Sequence, residues 1–264
     1  MSMKIRTLIA TCGLALAIFL FAQQHRGTVA QPGGFHAVVD LTHTIDGQVP
    51  KFDLSEPGYQ AKTLQTIHKN GYFARYISLP EHFGTHIDAP AHFAQGLWTV
   101  DQIPAERLVA PLVVLDVRES VKSNPDYQLS VEDIAQWEQS HGQIPLAAVV
   151  MVLTGWDARW TSSKAYRNAD SNGVMHFPGY SLDAAKFITE GRQALGLGID
   201  TLSVDYGPSN DFAVHRYTLP HSVYHLENVD NLEHVPATGT TVVVAPMKLE
   251  GGSGGPVRIL ALVP

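Results

Sequence analysis

Cysteine is almost absent from this chain of 264 residues, because Cys12 is the only one. A single cysteine excludes an intrachain disulfide framework and a thiolate metal site. Cys12 also lies inside an apolar run and not after it, so it is not placed as a lipid-attachment cysteine. The chemistry must use other side chains, and histidine is plentiful, with 13 residues.

Runs of positive charge are absent as well. The 18 lysines and arginines are outnumbered by 25 acidic residues, which gives a net charge of −7. Binding to nucleic acid through a basic surface is therefore not expected. There is no internal repeat and no long linker, and 45% of the residues are hydrophobic. These features predict a single globular domain, which we place at residues 31–264.

No apolar run reaches the roughly 20 residues that a membrane span needs. The candidate, TLIATCGLALAIFLFA at 7–22, follows Lys4 and Arg6 and precedes the small residue Ala30, which is the layout of a secretory signal. We predict a cleaved signal peptide over residues 1–30 and an exported, periplasmic or extracellular protein without a membrane span. An uncleaved N-terminal anchor is the alternative. Residues 1–30 hold three basic residues and no acidic one, so cleavage changes the net charge from −7 to −10.

The remaining sequence alternates short apolar runs with few helical patterns. Runs rich in β-branched residues predict strands at 36–45, 72–79, 110–117, 147–154, 194–205, 240–249 and 257–263. Ser130 and Ser181 each begin a capped helix. Strands dominate and their order is mixed, so we predict an α+β (mixed α/β) domain around a sizeable sheet. The long irregular stretches 46–62 and 155–180 are where functional residues are commonly found.

The stretch EHFGTHIDAPAHF at 81–93 contains three histidines and one acid, namely His82, His86, Asp88 and His92. Gly84 and Pro90 disfavour a helix here. In an extended chain the even-numbered side chains lie on one face, so all four polar groups would face the same way, with a bend near 88–90. Imidazole and carboxylate groups together are ligands for Zn²⁺, Mn²⁺ or Fe²⁺. The pattern therefore predicts a metal site whose ion lowers the pKa of a water to about 7.

This stretch resembles the signature H-x-G-T-H-x-D-x-P-x-H of the cyclase-type metal-dependent hydrolases, and every fixed position matches at 82–92. That family includes bacterial kynurenine formamidases and isatin hydrolases. Segments 38–52, 197–209, 215–228 and 246–262 resemble other parts of the family, so the resemblance covers most of the mature chain. It implies a cyclase-like swivelling β/β/α fold with a mixed sheet or barrel and a few flanking helices. It also implies a homodimer or homotetramer.

The resemblance further implies two divalent metals, with Zn²⁺ expected first and Mn²⁺ as the alternative. His82 and His86 would hold the first metal, and Asp88 would bridge both. His215 would bind the second metal, and Glu227, twelve residues later, would contact one or both. His92 would then be the proton-transfer residue.

The substrate pocket is the less specific part of the resemblance. Pro50 and Phe52 correspond to a proline and an aromatic that line the family's pocket, and Phe93 is a second expected substrate contact. The further candidate aromatics are Tyr59, Phe73, Phe83, Trp98 and Tyr180. We expect a hydrolase that cleaves carbon–nitrogen (amide) bonds of small aromatic amides such as N-formylkynurenine or isatin. A lactone hydrolase or cyclase on the same site, or a non-catalytic metal-binding protein, are the alternatives.

Three further features compete with or extend this interpretation. GGSGG at 251–255 fits the G-x-S-x-G elbow of serine hydrolases, but no acid and no histidine follows Ser253, so a turn near the pocket mouth is expected instead. His221 and His225 are extra histidines near Glu227, and each could substitute for a metal ligand, but both are expected to be exposed or to lie next to the metal ligands. His176, in the 155–180 stretch, is a lesser candidate for approaching the pocket.

Overall fold

The structure, a computed structural model, describes residues 34–264. The predicted signal peptide lies outside these residues, so its cleavage and the exported location stay predictions. Among residues 34–264, no helix is long and apolar enough to cross a bilayer.

The described residues form strands β1 to β12 and short helices α1 to α6. The strands are Ala37–Asp40, Gln60–Gln65, Ala74–Ser78, His86–Asp88, Val109–Asp116, Gln128–Leu129, Val149–Leu153, Gly179–Tyr180, Gly196–Ile199, Tyr224–Glu227, Thr240–Pro246 and Gly254–Val263. The helices are Ile67–Asn70, Arg118–Ser123, Val131–His141, Ser163–Arg167, Leu182–Lys186 and Ala213–Thr218. Short 3-10 turns include Pro90–His92 and Leu219–His221.

Eight of these strands form one mixed sheet in the order β1-β12-β11-β5-β7-β9-β10-β4. Its centre, β5-β7-β9-β10, is parallel, and the flanking pairs are antiparallel. The first residues of β12 also pair with β4, so the sheet closes on itself like a barrel. The mixed α/β single domain with a barrel-like sheet and few helices is thus confirmed.

The core lies on both faces of this sheet, because its central strands are buried on both sides. In β5, Val113 and Leu115 pack under the helices, whereas Leu112 and Val114 face the barrel interior. β7 alternates in the same way and is buried along its whole length. A closed, doubly covered sheet gives the site a rigid base, since neighbouring strands fix each other's register.

The predicted strands correspond to β1, β3, β5, β7, β9, β11 and β12, with shorter bounds in most cases. The predicted helices are confirmed: Ser130 and Asp133 form a reciprocal capping box at α3, and Ser181 caps α5. β9 ends at Ile199, well before the expected residue 205. The chain bends at the next residue, Asp200, whose carboxylate accepts backbone hydrogen bonds from Thr154, Gly155 and Trp156.

The stretch 82–92 is not one extended strand, so this part of the prediction is wrong. β4 spans only His86–Asp88, Gly84 has a left-handed φ of +69°, and Pro90 begins a 3-10 turn. A proline has no N–H for a strand ladder and suits the first position of a turn. The bend expected near 88–90 is confirmed. His86 and Asp88 share a strand face, whereas His82 and His92 reach the site from the flanking turns.

Candidate metal and active site

Four of the candidate polar groups are aligned by the antiparallel pairing of β4 with β10. In this register His225 lies opposite Asp88, and Glu227 lies opposite His86. Residues directly opposite each other, and residues two apart on one strand, face the same side of a sheet. All four side chains therefore point into one buried space, and each is at most 5% exposed.

His86 is fixed so that its Nε2 faces the two carboxylates. Its Nδ1 donates to the carbonyl of Gly84 at 3.0 Å, and this leaves Nε2 3.3 Å from Asp88 Oδ1 and 3.5 Å from Glu227 Oε2. Burial opposes a charge on this ring, but Asp88 and Glu227 outweigh burial and raise the pKa of His86 to about 9. The same buried negative charge attracts a metal cation, which would displace the proton.

His215 on α6 is oriented in the same manner. Its Nδ1 lies 2.6 Å from Asp205 Oδ2, while its Nε2 lies 3.3 Å from Asp88 Oδ2 and 3.4 Å from Glu227 Oε1. Asp205 is itself held by the backbone N–H groups of Val214 and His215 at the start of the helix. A carboxylate behind a histidine is the usual support of a metal ligand. Asp205 was missed in the sequence.

His225 presents an unpartnered nitrogen to the site. The Thr218 hydroxyl donates to the carbonyl of Val214, so it accepts from His225 Nε2, 2.6 Å away. The other nitrogen, Nδ1, then carries a lone pair and lies 3.6 Å from Asp88 Oδ2, with no hydrogen-bond partner among residues 34–264. Burial lowers the pKa of His225, which keeps the ring neutral. A buried lone pair facing a carboxylate is unfavourable unless a cation lies between them.

His82 reaches the site from the turn before β4 and is held from behind by Ser253. The Ser253 hydroxyl donates to Glu81 Oε2 at 2.7 Å, so it accepts from His82 Nε2 at 2.9 Å. His82 Nδ1 then faces Asp88 Oδ1 at 2.6 Å. The close approach requires glycine at 254, since a Cβ there would lie 2.6 Å from the imidazole of His82.

The two carboxylates divide these histidines into two groups, one facing each oxygen of Asp88, and we call these groups the two poles of the site. Asp88 directs Oδ1 to His82 and His86, and Oδ2 to His215 and His225. Glu227 spans the poles too, with Oε2 toward His86 and Oε1 toward His215. Ligands about 2.1 Å from a tetrahedral metal are about 3.4 Å apart, which is close to several of these spacings. The residues thus fit a metal centre, with Asp88, His215, His225 and Glu227 as one buried group.

His92 and a wall of aromatic rings complete the pocket above this centre. The ring of His92 lies 4.1 Å from that of His82, and burial lowers the pKa of His92 to about 4, so the ring is neutral at pH 7. Phe52 and Phe93 line the same pocket, as expected, together with Pro50. Phe212, which the sequence did not suggest, lies about 6 Å from both of these phenylalanine rings.

Several other candidates lie elsewhere. Residues 59, 73, 83, 98 and 180 do not line the pocket, and Tyr180 is a core residue. His221 is exposed, and His225 is wholly buried beside the candidate ligands. His176 pairs with Asp126 away from the pocket. Ser253 does lie in a turn beside the pocket, at the start of β12, and contacts His82.

Replacing Ser253 with alanine is expected to weaken metal binding by about 10–100-fold, because His82 loses the acceptor that orients its ring. Competition with a chromophoric chelator would measure the affinity. At saturating metal, activity should return to near the wild-type value. A variant with normal metal content and no activity would instead support a nucleophilic Ser253.

Comparisons with known proteins agree with this geometry. The family model described as a putative cyclase matches residues 39–206. The isatin hydrolase of Roseibium aggregatum is 33% identical over 86% of this chain and 92% of its own length. The chain belongs to the cyclase family. The kynurenine formamidase of Bacillus anthracis is 29% identical over 69% of this chain and 76% of its own length.

Solved structures of family members share the fold of the cyclase-family chain described above. Isatin hydrolase A from Ralstonia solanacearum superposes with a TM-score of 0.82 at 32% identity, over 94% of this chain and 97% of that one. A potential metal-dependent hydrolase with cyclase activity gives a TM-score of 0.65 at 26% identity, over 85% of this chain and 96% of that one. A metal-dependent hydrolase of the cyclase family is thus the level of function that sequence, fold and site share.

Proposed function

We propose that this protein is a metal-dependent amidohydrolase that cleaves the carbon–nitrogen bond of a small aromatic amide of the isatin or N-formylkynurenine type. The main observation behind the proposal is that the carboxylate of Asp88 faces two groups of histidines at once. Its two oxygens face two separate pairs of imidazole nitrogens, at 2.6 to 3.6 Å. The named relatives support the substrate class, since they are an isatin hydrolase and kynurenine formamidases.

Two divalent cations, Zn²⁺ first and Mn²⁺ as the alternative, suit this donor set. His82 and His86 would hold one, and His215 would hold the other. Asp88 and Glu227 would contact both, and the lone pair of His225 adds a donor at the second pole. Nitrogen and carboxylate ligands without sulfur fit either ion. When bound, such ions polarise a carbonyl oxygen and lower the pKa of a water molecule.

His92 is the residue that we assign to proton transfer. Its ring is neutral at pH 7, lies at the pocket side of His82 and contacts Phe93, with ring centroids 4.8 Å apart. A neutral imidazole here can accept a proton from the attacking water and pass it to the leaving nitrogen. A protein that only stores metal has little use for this extra histidine.

The aromatic side chains that line the pocket favour binding of a flat, apolar substrate. Phe52, Phe93 and Phe212 line one pocket with His92, and aromatic rings favour stacked or edge-on contact with another ring. Phe212 holds its position at a cost, because its φ of +51° is left-handed for a residue with a side chain. Strained backbone of this kind is often retained where a side chain must point into a site.

A substrate panel tests the proposal. The protein is stripped with a chelator, reloaded with Zn²⁺ or Mn²⁺, and its metal content is measured before assay. We expect metal-dependent hydrolysis of isatin or N-formylkynurenine. Chromatography of the ring-opened or deformylated product measures this hydrolysis. Turnover of an aryl-fused lactone alone would favour the lactonase alternative. A metal-loaded protein that hydrolyses none of these compounds would overturn the proposal.

A further inference from the structure

One rim of the pocket is a segment with little support of its own, residues 50–57, called here the rim segment. Four of its residues line the pocket, namely Pro50, Phe52, Asp53 and Glu56. Residues 52–57 are all exposed and lie in no strand or helix. The hydrogen bonds inside the segment are those of short turns, such as the one from the Glu56 N–H to the Asp53 carbonyl at 3.3 Å. Exposed turns of this kind open easily, so contacts from outside the segment must fix it.

Arg167, the last residue of α4, supplies such contacts. Its Nη1 atom donates hydrogen bonds to two successive carbonyls of the rim segment, those of Lys51 and Phe52. Among residues 34–264, these are the hydrogen bonds that join the rim segment to the rest of the fold. Burial lowers the pKa of Arg167, and the charge of nearby Asp53 partly opposes this, but a guanidinium stays protonated in proteins. A charged donor makes the stronger kind of hydrogen bond.

The backbone that carries Arg167 is itself tied to the candidate metal centre. The preceding residue, Tyr166, is wholly buried, and its carbonyl accepts from the indole N–H of Trp156 at 2.7 Å. The Tyr166 hydroxyl donates to Oδ1 of Asn228 at 3.1 Å, and Asn228 directly follows Glu227. A continuous path of packed and hydrogen-bonded groups thus runs from the metal centre through Tyr166 to Arg167. This path sets the distance between the rim segment and the site.

We propose that Arg167 is a positioning residue that holds Phe52 in place against the ring of the substrate. The side chain of Phe52 is 39% exposed, and its ring lies 6.0 Å from that of Phe212 inside the pocket. Arg167 does not line the pocket, so it acts on the substrate only through the segment that it holds. The inference rests on the proposed function, because Phe52 has this role only if the substrate is aromatic.

Limited proteolysis tests the hold on the rim segment without any substrate. Chymotrypsin cuts after Phe52 or Leu54 when the segment opens, and mass spectrometry gives the rate of cleavage. We expect Arg167→Ala to speed this cleavage by about 10-fold or more, since two hydrogen bonds to a charged group are lost. Arg167→Lys should give an intermediate rate. Arg258→Ala is the matched control, because Arg258 pairs with Asp40 outside the pocket lining, and its rate should equal that of the wild type.

A double-mutant cycle tests whether Arg167 acts through Phe52. Loss of one well-placed aromatic contact should raise KM for an aromatic amide by about 3–10-fold in Arg167→Ala and in Phe52→Ala. The kcat value and the metal content should stay close to those of the wild type, and Arg167→Lys should recover part of the loss in KM. The double variant R167A/F52A should be no worse than Phe52→Ala alone, because residues that act through one contact are not additive.

The outcomes separate this inference from the proposed function. Cleavage of Arg167→Ala at the wild-type rate, additive effects in the cycle, or a fall in kcat with unchanged KM would each overturn the role of Arg167. A general loss of structure would instead lower the Tm and the metal content together. If the metal-loaded wild type hydrolyses no aromatic amide, the proposed function fails, and the cleavage rates still decide whether Arg167 holds the rim segment.

Discussion

Replacing Asp88 with asparagine is expected to remove both bound metal and hydrolysis. The substitution keeps the size of the side chain but deletes its charge and one of the two acceptor oxygens. Those oxygens face His82 and His86 on one side, and His215 and His225 on the other. Loss of several kcal/mol of transition-state stabilisation corresponds to a fall in kcat/KM of about 10³-fold or more.

Thermal unfolding gives a readout of the Asp88→Asn variant that does not depend on the substrate. A ligand that binds only the folded state adds about 2.7 kcal/mol at a concentration of 100 Kd, so metal should raise the Tm of the wild type. The variant should show no such increase and little metal by elemental analysis. Asp126→Asn is the control, because Asp126 pairs with His176 away from the pocket. Full metal content in Asp88→Asn would exclude a bridging role.

Much of the candidate metal centre could be predicted because four of its residues are close together in the sequence. His82, His86, Asp88 and His92 lie within eleven residues, and the resemblance to a family supplied His215 and Glu227. The structure brings all six into one pocket. The sequence analysis explained their clustering by alternation along one extended strand, and this explanation is only partly right. Strand alternation aligns His86 with Asp88, but the turns at Gly84 and Pro90 place the outer two histidines.

The supporting residues could not be predicted because they depend on pairing between distant segments. Ser253 supports His82 only because β12 closes the barrel against β4. Asp205 supports His215 through a loop-to-helix contact that no local pattern encodes. His225 is the exception. It alternates with Glu227 as His86 alternates with Asp88, so the same period-two argument would have placed both on one face.

The fold shows the same division between local and distant information. Apolar runs predicted β5, β7 and β9, three of the four central parallel strands, since these are buried on both faces and form continuous apolar segments. The fourth, β10 at Tyr224–Glu227, was missed. The second strand of the chain, QAKTLQ at Gln60–Gln65, was missed. Its residues are mostly polar and exposed, so neither alternation nor hydrophobicity marks it. When the apolar residues in and beside a strand are exposed, the sequence shows no pattern of buried positions from which the strand could be predicted.

Replacing His92 with alanine is expected to lower kcat by about 10²–10⁴-fold while leaving metal content and KM close to the wild-type values. His92 stands beside His82, with ring centroids 4.1 Å apart, but it is not part of the buried group of Asp88, His215, His225 and Glu227. Its loss should therefore remove proton transfer but leave in place the histidine nitrogens that face the two carboxylates. His221→Ala is the control, since His221 is an exposed histidine outside the pocket lining.

Added imidazole distinguishes a proton carrier from a metal ligand in the His92→Ala variant. The alanine removes a ring from the pocket side of the site, so free imidazole has room to take its place. If His92 carries protons, a series of imidazoles should restore part of the activity in proportion to their basicity, as Brønsted behaviour requires. The metal-to-protein ratio should stay constant throughout. His92 also lies within ligand distance of His82 and Asp88, so loss of metal in the variant would assign it to the metal centre instead.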